Sequence, residues 1–212
     1  MKKKQLIIFD MDGTLINSGD VISNAINYVR TNLGLDAMPK DELLSNINNP
    51  EINSSEFFYG TTAFTDEQTK LFGEYYNKNC ISDISLYDGI VDLLEELNKN
   101  FTLSIATNAS AEFAKKMIQF LNIEHYFDFL IGANDVSTPK PHPEMLLNTL
   151  EKLNFKVEDS ILIGDSNKDR NAAKACRMDY LLVNWGFTQH EDDNVIMNTT
   201  EELNQKLLSF LK

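Results

Sequence analysis

Acidic residues, a hydroxyl, an amide and a lysine follow the ends of short apolar runs at four places in this sequence of 212 residues. The candidates, in chain order, are Asp10, Asp12, Thr107, Asn108, Lys140, Asp165 and Asp169. Carboxylate oxygens are ligands that Mg²⁺ accepts, and an Asp carboxylate can also act as a nucleophile. A lysine and hydrogen-bond donors stabilise negative charge on a reacting group. Brought together, these side chains would suit metal-assisted chemistry on an anionic substrate.

Five short apolar runs, often β-branched, are typical of buried strands. They are Leu6–Phe9, Thr102–Thr107, Phe129–Gly132, Ile161–Gly164 and Tyr180–Val183. From about residue 87 onward, strand and helix patterns alternate, which predicts a parallel sheet covered by helices on both faces. Ligands bind beyond the carboxyl ends of the strands in such a sheet. Because each candidate residue follows a run or lies in the loop behind it, we expect the candidates to meet at one edge.

Residues 17–86 interrupt this pattern with helical segments and no convincing strand. An apolar stripe that begins at Val21 stops at Gly34, a typical end of a helix. Thr65 with Gln68 fits a capping box at the start of another helix. We predict a helical insertion between the first strand and the rest of the sheet. The alternative is that these helices pack on the sheet as part of one domain.

The charge balance and the two cysteines restrict the class of protein. The chain has 19 Lys and Arg against 32 Asp and Glu, a net charge of −13, which argues against a nucleic-acid partner because such binders carry a basic face. No apolar run approaches the roughly 18–20 residues that cross a bilayer, so no membrane partner is expected. Cys80 and Cys176 form no metal pattern and predict buried, reduced thiols in a cytoplasmic protein. The high charge favours a monomer or a weak dimer.

Four motifs resemble those of the haloacid dehalogenase-like hydrolase superfamily. They are D-M-D-G-T-L from Asp10, T-N at Thr107, K-P at Lys140 and G-D-x-x-x-D from Gly164. One such motif alone would be a weak signal, but these four occur in the family's order. The resemblance covers nearly the whole chain and is greatest to the phosphoglycolate phosphatase-like branch, whose members carry a small helical cap.

The resemblance implies a fold and a domain division. The fold is α/β, with a doubly wound parallel sheet in a Rossmann-like core and an inserted all-helical cap domain. The core domain would comprise residues 1–16 and 87–212, and the cap domain residues 17–86. The sequence L-Y-D-G-I at 86–90 resembles the return of the chain from such a cap into the core.

The resemblance and the chemistry together assign roles to the acids. Asp10 is expected to be the nucleophile that takes the phosphoryl group, and Asp12 the general acid and base. Mg²⁺ is the expected cofactor, because a cation between a carboxylate and a phosphate dianion cancels their repulsion. Asp10 and Asp165 are the obvious carboxylate ligands. The resemblance implies that the backbone carbonyl of Asp12 is a third metal ligand and that Asp169 supports the metal site. The alternative for Asp169 is an acid in the first turn of a helix that is stabilised by the helix dipole and has no role at the metal.

Three further residues are expected to bind the substrate phosphate. Thr107 and Asn108 offer a hydroxyl, an amide and backbone N–H groups, and Lys140 adds a positive charge opposite the metal. Pro139 and Pro141 restrict the backbone on both sides of Lys140. The predicted function is therefore an Mg²⁺-dependent phosphatase of a small phosphorylated metabolite.

The sequence leaves more than one class of substrate possible. Asp12 argues against a carbon–halogen dehalogenase, because those enzymes lack an acid at this position. Ile22 stands where sugar-phosphate mutases of this superfamily carry a histidine, so a mutase is disfavoured. The segment 43–60 contains no Arg or Lys, which lowers the expectation of a carboxylated substrate such as phosphoglycolate. An uncharged or sugar-like substrate fits at least as well.

Two other classes of protein also remain. A phospho-acceptor receiver domain shares paired acids, a threonine and a Lys-Pro on a parallel sheet, but its phosphorylated aspartate follows a later strand. It also lacks the helical insertion and the G-D-x-x-x-D motif. A non-catalytic protein that binds a metabolite is the other alternative, although none of the four motifs is degenerate.

Overall fold

The computed structural model describes residues 4–49, 51–191 and 195–211. The strands in this part of the chain are β1 (Leu6–Phe9), β2 (Ile16–Asn17), β3 (Ser85–Leu86), β4 (Thr102–Ala106), β5 (Phe129–Ile131), β6 (Ser160–Gly164), β7 (Asp179–Val183) and β8 (Ile196–Met197). The larger sheet has the order β5, β4, β1, β6, β7, β8, and all its neighbouring strands are parallel. The strand at its centre, β1, is therefore flanked by β4 and β6.

All five predicted strands are present, each within one residue of the expected bounds. They are short, and the central strands β1 and β6 are completely buried, as expected in a parallel sheet, whereas β5 and the start of β7 are partly exposed. The sequence analysis did not predict β8, because two residues are too few to show a pattern. The predicted parallel α/β fold is confirmed.

Helices cover both faces of the larger sheet. The α-helices in the described residues are α1 (Gly19–Asn32), α2 (Lys40–Ile47), α3 (Ser54–Tyr59), α4 (Asp66–Asn79), α5 (Ile90–Leu97), α6 (Ala111–Phe120), α7 (Glu144–Leu153), α8 (Asn167–Ala175) and α9 (Thr200–Leu208). Ile7 and Phe9 of β1 pack in one hydrophobic cluster with residues of α5, α6 and α9. Leu6 and Ile8 pack in a second cluster with residues of α7 and α8. The sheet is therefore doubly wound, as predicted.

The chain between β2 and β3 forms α1 to α4, which we call the helical insertion. β2 and β3 pair in an antiparallel ribbon, with Ile16 opposite Leu86 and Asn17 opposite Ser85, so the two crossings of the chain lie side by side. Helix α1 contacts each of the other three helices. The expectation that residues 17–86 contain no strand was wrong at both ends, where Asn17 belongs to β2 and Ser85–Leu86 form β3. A strand of two residues is too short to show an alternation of apolar and polar residues in the sequence.

The hydrophobic cluster of the sheet continues into the helical insertion. Val21, Ile26 and Val29 of α1 belong to the same cluster as Ile7 and Phe9. Apolar packing therefore joins the insertion to the sheet, and the division into a core and a cap domain stays a prediction.

A helix cap, the packing of one helix and the two cysteines can be compared with the structure. The capping box of Thr65 and Gln68 is present at the start of α4. In α6, Phe120 is 56% exposed, while Ile118 is buried. Cys80 is buried and Cys176 half-buried, and both are free thiols.

Within the described ranges, no helix combines the length and apolar character needed to cross a membrane.

Candidate active site

Three acidic side chains meet at the carboxyl ends of the central strands. Asp10 directly follows β1 and Asp165 directly follows β6, and the parallel register places these strand ends side by side. Asp169 lies in the first turn of α8, which begins just after Asp165. Carboxylate oxygens of all three lie within 4.8 Å of one another. All three side chains are buried, so the structure brings together acids that are 159 positions apart along the chain (169 − 10 = 159).

Lys140 is buried against two of these acids. Its Nζ donates to Asp10 Oδ1 and to Asp169 Oδ1, at 2.6 Å each, and the residue is 3% exposed. Its backbone is held by Asn108, whose Oδ1 accepts from the Lys140 N–H at 3.0 Å and whose Nδ2 donates to the Lys140 carbonyl at 2.8 Å. Asn108 therefore uses its amide to hold the lysine loop, a contact that sequence analysis did not anticipate.

Asp12 and Thr107 lie beside this group. The Asp12 carboxylate accepts a hydrogen bond from the Ser18 hydroxyl. Burial raises the pKa of Asp12, and the hydrogen bonds from Ser18 and Thr107 and the charge of Lys140 oppose that rise. Thr107 follows β4, the other neighbour of β1, and its Oγ1 also accepts from the Ala109 N–H at 3.1 Å. Asp12 is thus a half-buried acid whose carboxylate is held by Ser18.

Two glycines let the backbone approach Asp165 closely. Gly13 has φ of +84°, and a Cβ there would lie 2.3 Å from Asp165 Oδ2. A Cβ at Gly186 would lie 2.4 Å from Asp165 Cβ and 2.3 Å from the Gly13 carbonyl oxygen. Both distances are far below van der Waals contact, so any side chain at either position would displace the acid. The sequence analysis did not single out Gly186 for this role.

The acids fit a hard divalent cation. Asp165 Oδ2 accepts from the Phe187 N–H at 2.8 Å. Among the described residues, Asp165 Oδ1 is a buried oxygen with no hydrogen-bond partner, and such atoms are rare unless something else binds them. Three buried carboxylates also outnumber the lysine beside them. An oxygen-binding cation would satisfy both the free oxygen and the excess negative charge.

Burial and mutual repulsion change how these groups titrate. Burial raises the pKa of Asp10 to about 7 against the opposing charge of Lys140. Burial, followed by the charges of Asp10 and Asp169, raises the pKa of Asp165 well above its ordinary value. For Lys140, burial acts to lower the pKa, but the two carboxylates outweigh it, and the pKa lies above the ordinary value. Clustered shifts of this kind are typical of functional sites.

A cavity of about 540 Å³ joins these polar residues to the helical insertion. Asp10, Asp12, Thr107 and Asn108 line it on the side of the strand ends. Apolar side chains that line it include Ile22, Ile26, Phe58, Phe72, Tyr76 and Phe113. Burial raises the pKa of Tyr76 well above its ordinary value, and the negative charge of Asp12 adds to that effect. Acidic and aromatic groups therefore share one cavity.

Sequence analysis missed other residues that position the site. Ser166 and Asp169 form a capping box at the start of α8, in which the Asp169 carboxylate accepts from the Ser166 N–H at 3.2 Å and from its hydroxyl. The spacing S-x-x-D before a helix is a signal that could have identified this pair. No pattern in the sequence marks Ser18 as the partner of Asp12, because their contact depends on the loop that follows β1.

Comparisons with known proteins place the chain in a family. The family model described as haloacid dehalogenase-like hydrolase matches residues 7–183. Phosphoglycolate phosphatase of Aquifex aeolicus (strain VF5) is 31% identical over 186 residues, 87% of this chain and 87% of that protein. Phosphoglycolate phosphatase of Colwellia psychrerythraea is 29% identical, over 92% of this chain and 90% of that protein.

Solved structures agree with this placement. A hydrolase of the haloacid dehalogenase-like family from Streptococcus pneumoniae superposes with a TM-score of 0.82 at 27% identity and covers 99% of both chains. The predictions of the superfamily, of its branch and of a phosphatase-type hydrolase are confirmed by these matches. With a family match over most of its length and a relative at 31% identity, the chain belongs to the haloacid dehalogenase-like hydrolases, in their phosphoglycolate phosphatase-like branch.

Proposed function

We propose that this protein is an Mg²⁺-dependent phosphatase that hydrolyses a small phosphorylated metabolite through a phosphoryl group carried on Asp10. The observation that carries the proposal is the buried contact of 2.6 Å between Asp10 and Lys140, next to the partnerless oxygen of Asp165. A carboxylate nucleophile needs a fixed cation beside it when it approaches a phosphate dianion. Lys140 and a metal on Asp165 would meet that need from two sides.

Asp10 and Asp12 divide the chemistry between them. An Asp10 carboxylate oxygen forms a bond to phosphorus while the bond from phosphorus to the ester oxygen breaks. Asp12, whose pKa is raised by burial, donates a proton to that leaving oxygen. In the second step Asp12 takes a proton from water, the water oxygen bonds to phosphorus, and inorganic phosphate leaves Asp10 free again.

The remaining residues hold the phosphoryl group and the acids in place. Thr107 and the backbone N–H groups beside it would donate to phosphoryl oxygens, and the amide of Asn108 fixes the Lys140 loop. Both carboxylate oxygens of Asp169 have partners, Lys140 and Ser166, which supports a positioning role. Asp10, Asp165 and the Asp12 carbonyl would hold Mg²⁺. When bound, the ion neutralises charge between nucleophile and phosphate.

Two observations favour phosphatase over the alternatives. Ile22 lines the cavity, so an apolar side chain stands where the mutases carry a histidine. The candidate nucleophile directly follows the first strand of the sheet, unlike the phosphorylated aspartate of a receiver domain.

The test is release of inorganic phosphate from a panel of phosphorylated metabolites, with Mg²⁺ and with EDTA. We expect metal-dependent turnover of at least one ester, and its complete loss in Asp10→Asn. Asp92→Asn, an exposed acid on α5, is the matched control and should retain wild-type activity. Turnover by Asp10→Asn would refute the role of Asp10, and binding without turnover would favour a non-catalytic protein.

A further inference from the structure

We propose that the alcohol released from the substrate is apolar, carrying an aromatic ring or an alkyl chain of several carbons, and that the aromatic walls of the cavity select it. This inference rests on the proposed function and names its substrate class. It differs from what the printed names of the relatives suggest, because phosphoglycolate carries a carboxylate instead of an apolar group.

One wall of the cavity is a stack of rings. Phe72 and Tyr76 of α4 stack with centroids 4.8 Å apart and planes at 16°, and Tyr76 contacts Phe113 of α6 at 5.3 Å. All three line the cavity together with Asp10 and Asp12. The rings thus face whatever is attached to a phosphate held at those acids. Such a surface favours a group that gives up little hydration when it binds.

A second set of rings lies on the side of α3. Phe58, Tyr59 and Phe64 line the cavity, with centroid distances of 6.2 Å from Phe58 to Tyr59 and 6.0 Å from Tyr59 to Phe64. Phe64 is 57% exposed, so apolar surface that a ligand could cover is available there. Covering it would contribute to affinity in proportion to the area removed from water.

The charges of the cavity disfavour a second anionic group. Among the described residues that line it, Asp10 and Asp12 are acidic and the one cation is Lys168. The Lys168 Nζ already donates to the carbonyl oxygen of Ile47 at the end of α2, at 2.8 Å. A substrate carboxylate would therefore meet two acids and a single lysine, one of whose three N–H donors is already used on a backbone carbonyl.

Three amides line the cavity, and two of them, Gln68 and Asn108 but not Asn48, are already committed, which disfavours a sugar. Gln68 donates to Thr61 Oγ1 at 3.2 Å and accepts from the Thr65 N–H at 3.0 Å. Asn108 uses both ends of its amide on the Lys140 backbone. Sugar hydroxyls that displaced these bonds would leave buried polar groups unpaired. The cavity of about 540 Å³ lies within the 300–1,000 Å³ that small-molecule sites usually span, so an apolar group of several carbons has room.

The experiment measures kcat/KM, with Mg²⁺, for n-alkyl phosphates from methyl to hexyl and for phenethyl phosphate. Their leaving alcohols are of similar acidity, so the trend reports contacts with the cavity rather than leaving-group reactivity. We expect kcat/KM to rise about two- to fourfold per methylene, where fourfold corresponds to complete burial of a CH₂. We also expect propyl phosphate to exceed phosphoglycolate, which has a similar size, by about tenfold or more.

Matched variants test whether the aromatic walls cause the trend. Phe64→Ala should reduce the gain per methylene, whereas Phe120→Ala should leave it unchanged, because Phe120 is equally exposed but does not line the cavity. Lys168→Met should change kcat/KM for propyl phosphate and phosphoglycolate by the same factor. A loss confined to phosphoglycolate would mean that Lys168 binds a substrate carboxylate, and would overturn the inference.

The failure of this inference is distinguishable from failure of the proposed function. If kcat/KM is flat or falls with chain length, or if phosphoglycolate or a sugar phosphate exceeds propyl phosphate, the apolar leaving group is wrong while Asp10-dependent phosphatase activity stands. Absence of turnover for every ester, with metal present, would contradict the proposed function and the inference with it.

Discussion

The two sides of the cavity differ in how their residues are held. At the ends of β1 and β6, polar groups have several fixed partners: Lys140 contacts Asp10 and Asp169, and Asn108 holds the lysine backbone. On the side of the helical insertion, rings such as Phe72 and Tyr76 contact each other and pack among apolar side chains. Chemistry requires reacting groups to be placed within about 0.5 Å, whereas recognition of an apolar group requires only shape and a lack of charge. We therefore expect mutations at the strand ends to cost orders of magnitude, and mutations in the insertion to cost far less.

The strongest way to test this contrast is Asp12→Asn, which removes the proposed general acid and base. We expect kcat to fall by about 10²–10⁴, with phosphoryl-Asp10 accumulating if loss of the base slows the attack of water more than the first step. Rapid-quench mass spectrometry would detect the added phosphoryl group. Asp10→Asn/Asp12→Asn is the control and should acquire none. A fall in kcat of less than tenfold would contradict the role given to Asp12.

Lys140→Met should produce the next largest effect. Loss of the fixed cation beside Asp10 is expected to lower kcat by about 10²–10³, the usual cost of removing one group that stabilises transition-state charge. Steady-state kinetics with saturating Mg²⁺ would measure it. Lys99→Met is the control, because the exposed Lys99 pairs with Glu96 on the surface of the protein, and the variant should leave kcat unchanged. Equal kinetics for both variants would mean that Lys140 has no part in the reaction.

The metal-free protein should lose stability as the pH rises. The pKa of Asp10 is about 7 in the folded protein against an ordinary value of 3.8, and that of Asp165 is also raised. Between about pH 4 and 7 the folded state therefore holds more protons than the unfolded state, and the free energy of unfolding falls through that window. Urea unfolding in EDTA at pH 5 and pH 7 would show the difference. A rise over this range would contradict the shifts.

Mg²⁺ should reverse that loss. At a concentration 100-fold above its dissociation constant, a ligand that binds only the folded state adds about 2.7 kcal/mol to the free energy of unfolding. Asp165→Asn removes a ligand and a buried like charge, so we expect it to stabilise the metal-free protein at pH 7 and to reduce the gain from Mg²⁺. The same unfolding curves with and without Mg²⁺ would test both points. An undiminished gain in the variant would place the metal elsewhere.

The smallest expected effect concerns the start of α4, which carries Phe72 and Tyr76. Thr65→Ala removes one bond of the capping box and should lower the free energy of unfolding by about 1 kcal/mol. Ser110→Ala is the matched control, because Ser110 occupies the same position before α6 without a side-chain cap bond and should change stability by only a few tenths of a kcal/mol. Equal changes in the two variants would show that the cap bond adds nothing to stability.

Features that arise from neighbours in the sequence were predictable. The five strands were predictable because short apolar runs rich in β-branched residues are typical of buried strands. The capping box at Thr65 was evident because both partners lie within one helical turn. The ribbon of β2 and β3 and the exposure of Phe120 were not predicted, because they depend on which distant surface packs nearby.

The sequence by itself determined which residue types end each strand, and therefore that acids, a threonine and a lysine would gather at one edge of a parallel sheet. Only the tertiary structure decided which of them touch: that Lys140 contacts Asp10 and Asp169, that Asn108 holds the lysine loop, and that rings from α4 and α6 face the same cavity. The physical reason is that strand ends follow from local patterns, whereas contacts between loops and helices depend on packing across the whole chain.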